Sequence, residues 1–307
     1  MKENGPISPE LLDRIVRAAV SQSPQTITPI TQQGNSNAVY AVTTSTDSLI
    51  VRLDVTGGAL PVYQKEAACL SWVKEIGVPS ANVLAVGEMD DVAYMVQTRV
   101  AGLIGTEWGG DKTAVWREIG RLAQQINTIP VHGYGDWLDD AATRRFHPSW
   151  ESYVGWYLDF IFDGQLVDTA VLTTAQANKA QKLLAQLLDW RFEQRLCHGN
   201  LALKNVIVGD NGACTIIDWG NSAAQRAPHF EVAEVAAWDV DERGIRPFLA
   251  GYGLTQTQYA AMQPELELLQ LWRWLDAIRW AMDRWEQWER VDFVQMAWRR
   301  AKRLLIG

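Results

Sequence analysis

Apolar positions change their spacing several times along the chain, and each change marks an element. Over residues 8–20, Leu11, Leu12, Ile15, Val16 and Ala19 recur at helical spacing behind Ser8 and Pro9. That pattern predicts an amphipathic helix with Ser8 as N-cap and proline in the first turn. From residue 26 to 55 the period shortens. ITPI, NAVYAV and SLIVRLD are β-rich runs separated by turn residues, among them the QGNSN stretch, and they predict strands. Helical spacing returns over 62–76, with Leu70, Val73 and Ile76 on one face. VLAVGE and VAYMVQT then predict two further strands with Met89-Asp90-Asp91 near their turn.

Beyond residue 101 the character shifts. AGLIG predicts a connector. KTAVWREIGRLAQQINTI predicts a helix with Val115, Ile119, Leu122 and Ile126 in register. Residues 149–162 form an aromatic amphipathic helix, and Thr174 is placed to cap a helix running through LLAQLLDW. NVIV and CTIID flank Gly209-Asp210-Asn211-Gly212, and an Asn-Gly between β-branched runs is a strong hairpin signal. Everything after about residue 229 reads as helical. The whole predicts an α+β chain of two lobes. A small β-rich lobe covers 1–100, and a large, mostly helical lobe covers 101–307 and carries one short hairpin.

Composition narrows the partners. Of 307 residues, 48% are hydrophobic and 21% charged, and the net charge is −8. An acidic chain lacks the basic face that nucleic acid requires and suits a cationic small molecule, although acidity also serves solubility alone. Cys69, Cys197 and Cys214 form neither a CxxC pair nor an even framework, so a reducing, cytoplasmic setting is expected. The N-terminal residues lack the apolar core of a signal peptide, and no apolar run is long enough to span a membrane. His132, His147 and His229 show no metal-ligand spacing.

Candidate chemistry gathers around the hairpin. Asn205 precedes its first strand and Asp218 ends its second, so the fold of a hairpin brings an amide and a carboxylate together. Both are hard oxygen ligands that suit Mg²⁺. Upstream, His198-Gly199-Asn200 and Asn205 keep the spacing of a kinase catalytic loop, His-x-Asp-x4-Asn, with an amide at the acidic position.

The run HGNLALKNVIVGDNGACTIIDWG resembles the signature of the aminoglycoside phosphotransferase family of small-molecule kinases. GNSNAVYAV, LIVRLD, YMVQTRVAG and PHFEVAEVAAW are most similar to the hygromycin B phosphotransferases. The resemblance implies a protein-kinase-like two-lobed fold that transfers the γ-phosphoryl of ATP (or GTP), with Mg²⁺, to a hydroxyl of a cationic small molecule. Under it, Gly34, Ser36 and Asn37 belong to the turn that covers the phosphates. Arg52 takes the place of the phosphate-binding strand lysine, with Glu66 as its partner. The hinge holds adenine through backbone near Thr98 to Val100. Asn205 and Asp218 hold the metal.

On the substrate side, the resemblance nominates carboxylates and aromatic faces of the second lobe, namely Glu231, Glu234, Trp238 and Asp276, with Asp239, Asp241 and Asp283 nearby. The competing reading is that these tryptophans are core and these acids are solvated. Asn200 is the departure from the family. An amide orients an attacking hydroxyl but cannot take its proton. Three explanations stand open: an introduced Asp→Asn change, a weakened or repurposed kinase that still binds nucleotide, or a base supplied by another carboxylate. A metabolic kinase for an amino alcohol or sugar is the other enzymatic alternative.

Overall fold

The computed structural model describes residues 7–31, 37–54, 58–238 and 242–306. In chain order the elements are α1 (Pro9–Val20), β1 (Thr26–Pro29), β2 (Ala38–Thr43), β3 (Ser48–Asp54), α2 (Ala59–Glu75), β4 (Val83–Met89), β5 (Val92–Thr98) and β6 (Leu103–Ile104). Next come α3 (Lys112–Ile126), β7 (Tyr134–Asp140), β8 (Arg145–His147), α4 (Trp150–Ile161), α5 (Gln165–Asp168), α6 (Thr174–Leu184) and β9 (Gln194–Cys197). They are followed by β10 (Val206–Val208), β11 (Cys214–Ile216), β12 (Ala223–Arg226), α7 (His229–Ala237), α8 (Glu242–Tyr252), α9 (Gln256–Met282) and α10 (Asp292–Ile306). Among these none is long and apolar enough to cross a membrane.

The chain forms two compact units. One comprises the chain up to Gly110 together with Leu203–Ser222, and the other Asp111–Ala202 with the chain from Ala223. In the first, five strands run in the order β1-β2-β3-β5-β4, all antiparallel. The α1 stripe packs on one face of this sheet. Leu11, Leu12, Ile15 and Val16 bury against Val42, Leu49, Val51, Leu53 and Val96. The helix starts where Ser8 places its Oγ to accept the Leu11 N–H at 3.1 Å. The alternation of SLIVRLD sends Leu49, Val51 and Leu53 into that core, which leaves Arg52 on the opposite face. The same unit holds a second, three-stranded sheet, β11-β10-β6, so the short connector strand pairs with the hairpin.

The second unit is mostly helical, and it carries a four-stranded sheet, β8-β7-β12-β9, that hydrophobic spacing does not announce. Its strands are short and polar: Tyr134–Asp140 contains three aspartates, and Ala223–Arg226 has no large apolar side chain. Pairing, not patterning, makes them strands. Thr173 rather than Thr174 caps α6, in a reciprocal capping box with Gln176, and the helix stops at Leu184 before a 3₁₀ turn over Ala185–Asp189.

Candidate functional site

In the first unit, Arg52 on β3 donates from Nη1 to Glu66 Oε1 on α2 at 2.6 Å. The glutamate side chain is 1% exposed and the arginine 13%. The Arg52 guanidinium also lies over the Tyr63 ring, 5.3 Å from its centroid. Burial lowers the affinity of this guanidinium for its proton, but the charges of Glu66 and then Asp218 outweigh it and hold the group above its ordinary range. The cation is therefore permanent.

The hairpin delivers the rest of this cluster. Val206 pairs with Ile216, and the Ile217 N–H donates to the Asn205 carbonyl at 2.9 Å, so Asn205 and Asp218 sit at adjoining hairpin ends. Asn205 is buried. Asp218 has a left-handed backbone (φ 64°, ψ 69°), rare for a residue other than glycine, and its carboxylate lies 3.8 Å from Arg52 Nη2. The next residue, Trp219, is fully buried, and its backbone N–H donates to the same Glu66 Oε1 at 3.1 Å. One carboxylate oxygen thus serves both Arg52 and the segment that begins at Asp218. The other Glu66 oxygen is buried with no hydrogen-bond partner among the described residues.

Of the expected nucleotide contacts, Gly34 and Ser36 lie outside the described residues, while Asn37 is half-buried just before β2. Thr98 ends β5 and is engaged with Asn82. Its N–H donates to the Asn82 carbonyl and its hydroxyl accepts the Asn82 N–H, both at 2.9 Å. Val100 is half-buried beyond the strand, and its backbone takes no part in the hydrogen bonds among the described residues.

In the second unit, β9 leads into the loop His198-Gly199-Asn200. His198 is fully buried, and Gly199 adopts φ 74°, a left-handed value that suits glycine. The Asn200 N–H donates to His198 Nδ1 at 3.2 Å. Glu231 on α7 reaches the same loop: its Oε1 accepts the His198 N–H and its Oε2 the Gly199 N–H. Fully buried there, Glu231 supports the loop rather than presenting its carboxylate to a ligand. Burial pushes that carboxyl up to about 7, against the two backbone donors, which favour its charged form.

The remaining nominated carboxylates are not free charges either. Glu234, 2% exposed, forms an ion pair with Arg273, and its Oε2 accepts the Trp238 indole N–H at 3.4 Å. Arg273 Nη1 donates to Asp276 at 3.0 Å. Burial raises both acids, Asp276 to about 6, while Arg273 pulls each back down. Asp136, Tyr153 and Tyr157 act electrostatically on the same group of charges. Asp283 pairs with Arg279, which also grips Asp163 at 2.6 Å. Asp239 and Asp241 lie outside the described residues. Structure therefore unites Arg52, Glu66 and Asp218 in one cluster with Asn205 at the adjoining hairpin end, sets Glu231 against the His198 and Gly199 backbone that precedes Asn200, and joins Glu234 to Trp238 directly and to Asp276 through Arg273.

Residues 26–265 match the sequence profile of APH, the phosphotransferase enzyme family. The chain belongs to this family. Its fold matches a thermostable mutant of aminoglycoside phosphotransferase APH(4)-Ia in ternary complex with ADP and hygromycin B (TM-score 0.73, 17% identity, 96% of this chain and 98% of the other). It also matches choline kinase LicA from Streptococcus pneumoniae (0.68, 17%, 97% and 98%). Spectinomycin phosphotransferase APH(9)-Ia with ADP and spectinomycin gives 0.64 at 14% identity, with 97% and 94% covered. At these identities the likeness is one of fold. No curated protein sequence matches significantly.

As a member of the APH family, the chain is a phosphotransferase by class. Several residues of its clusters escape the sequence motifs. Tyr63, Asn127, Asp136, Tyr252 and Arg273 belong to no signature. Only Arg273 leaves a signal, because it precedes Asp276 by three positions on a helix, the spacing of an intrahelical ion pair.

Proposed function

We propose that the protein is a nucleoside-triphosphate-dependent kinase of a small cationic molecule, with an aminoglycoside-type antibiotic such as hygromycin B as the leading acceptor class. The observation that carries the reading is the convergence of Arg52, Glu66, Asp218 and the Trp219 N–H. A buried glutamate fixes both the Arg52 cation and the segment that carries the half-exposed Asp218 carboxylate, the pairing of cation and hard oxygen donor that suits a phosphate with its metal ion. Arg52 binds phosphate oxygens, and Glu66 fixes its guanidinium. Val100 offers unengaged backbone to a nucleobase, and Asn37 lies next to the segment expected to cover the phosphates.

The oxygens of Asn205 and Asp218 are hard donors, and Asp218 is 48% exposed, so the pair fits Mg²⁺. Among the described residues no three or more His, Cys, Asp or Glu side chains gather into a metal site, which leaves the other coordination positions to water and phosphate. When bound, the ion neutralises charge on the transferring phosphoryl group. Asn200 orients the acceptor hydroxyl without taking its proton. On the acceptor side, Asp276 and half-buried Trp238 remain the contacts of choice for an ammonium group, the indole adding about 0.5–2 kcal/mol of cation–π attraction. Three free, buried thiols accord with a cytoplasmic setting.

Titration calorimetry with ATP and GTP, with and without Mg²⁺, tests the nucleotide half of this proposal. Binding is expected to strengthen with Mg²⁺ in the wild-type chain and to lose that Mg²⁺ dependence in Asp218→Ala. Arg52→Ala is expected to weaken binding roughly 10–100-fold, the loss of a hydrogen-bonded charge. A folded protein that binds neither nucleotide refutes the reading. Asn200 favours a second reading, a nucleotide-binding sensor without turnover, in which all of these binding results hold and no acceptor is phosphorylated.

A further inference from the structure

The buried carboxylate behind the loop does not act alone. Asn127, at the C-terminal end of α3 and 7% exposed, donates from Nδ2 to the Leu196 carbonyl at 2.7 Å, with Cys197 Sγ at 3.6 Å. Its Oδ1 accepts the Tyr252 hydroxyl, at the end of α8, at 2.6 Å. Asn127 also hydrogen-bonds the Glu231 side chain and so favours its charged form. A chain of buried polar contacts therefore runs from Tyr252 through Asn127 to Glu231 and on to the N–H groups of His198 and Gly199.

We propose that Tyr252 and Asn127 are positioning residues that act through Glu231 on the backbone of His198–Asn200, and that the protonation of Glu231 sets how firmly that loop is held. The inference rests on reading Asn200 as the residue that orients the acceptor hydroxyl.

The chemistry follows from the two oxygens of the carboxylate. Ionised, Glu231 accepts one backbone N–H on each oxygen. Protonated, one oxygen becomes a hydroxyl and a poor acceptor, so one of the two N–H groups loses its partner. Glu234 on its own helix repels the charged form, while Asn127 from α3 and the two loop N–H groups favour it. Cys197 on β9 and Tyr252 on α8 also feel Glu231. Burial keeps the thiol and the phenol far above their ordinary values, so both stay neutral near pH 7. Glu231 is the carboxyl of this network that burial pushes to about 7, and it lies against the backbone of His198, whose buried imidazole accepts the Asn200 N–H at Nδ1.

Amide hydrogen exchange of the peptide covering residues 196–201, in the whole protein from pH 5.5 to 8.5 and corrected for intrinsic rates, reads the loop directly. In the wild type, protection is expected to rise with pH through a midpoint near 7. In Asn127→Ser the ionised carboxylate loses a donor, so the midpoint moves up by roughly one pH unit while the high-pH protection is retained. Tyr252→Phe moves it in the same direction by less. Glu231→Gln abolishes the pH dependence and leaves protection low throughout. A flat wild-type profile, or an equal loss at every pH in the variants with the midpoint unmoved, overturns the proposal. If Asn127→Ser fails to fold, Tyr252→Phe decides by the same criterion. Phosphorylation by Asn200→Asp is followed in parallel. Midpoints that shift in the absence of any phosphorylated acceptor would leave the network standing and remove the phosphotransferase reading instead.

Discussion

At the residue scale, two buried glutamates each organise a cluster in their own unit, and they differ in how visible they are in the sequence. Glu66 is legible because a charge on an otherwise apolar helix face needs a cation, and Arg52 on the neighbouring strand supplies it. Its second duty, accepting the Trp219 N–H, is a backbone contact over a sequence separation of 153 and leaves no trace in side-chain pattern. Removing the carboxylate strands Arg52, so Glu66→Ala is expected to destabilise the protein by about 3–5 kcal/mol, the cost of breaking a buried pair from one side. Glu66→Gln keeps an acceptor oxygen and is expected to cost less. Urea unfolding of the two variants measures the difference, and equal losses would mean that charge alone matters at this position.

Glu231 is the opposite case. Its motif position suggests a substrate ligand, yet its carboxylate is enclosed by the backbone of the loop. Because the carboxyl is raised from 4.5 to about 7 on folding, the folded state holds the proton more tightly. The stability this group contributes is therefore present below about pH 4.5 and lost as pH rises through 7. Glu231→Gln is expected to flatten that part of the stability profile, measured as the difference in unfolding free energy between pH 5 and pH 7.5. A wild-type slope that survives the substitution unchanged would place its origin elsewhere.

At the scale of elements, strong periodicity foretells structure and weak periodicity does not. The helix α1 appears with its cap and its buried stripe as the spacing predicts, and β3 turns Arg52 away from the core by simple alternation. The four-stranded sheet of the second unit was hidden because its strands carry aspartates and alanines, whose place in a sheet is fixed by long-range partners. The α3–α8 packing is hidden for a related reason. Gly120 on α3 and Gly251 on α8 face the partner helix so closely that a Cβ on Gly120 would run into the Phe248 carbonyl, and one on Gly251 into the Arg117 carbonyl. Backbone atoms cannot swing aside as a flexible side chain can. Gly120→Ala and Gly251→Ala are each expected to cost about 3 kcal/mol or more, at the upper end of overpacking penalties. Thermal unfolding checks this, and a neutral substitution at both positions would show that the helices stand further apart. Since Asn127 and Tyr252 lie at the ends of these same helices, tight packing also serves the loop network.

At the scale of the whole molecule, family membership makes this a phosphotransferase by class, and the net charge of −8 accords with the cationic acceptor proposed for it. Most of the acid on the acceptor side is internally paired. Glu234 and Asp276 share Arg273, so under the proposed reading fewer carboxylates are left for a cationic acceptor than the sequence suggests. Asp276→Asn is accordingly expected to raise KM for a cationic acceptor and to leave nucleotide binding unchanged. The central claim concerns Asn200, proposed as the amide that orients the acceptor hydroxyl where an active kinase loop has an acid. General-base assistance is worth roughly 10²–10⁴ in rate. The most direct test is nucleoside diphosphate release with ATP and GTP across an aminoglycoside panel, for the chain with Asn200 and for Asn200→Asp. The account predicts that Asn200→Asp turns over faster by about that factor, with nucleotide affinity little changed. Equal rates in the two proteins would contradict it, because the base would then lie elsewhere or not be needed.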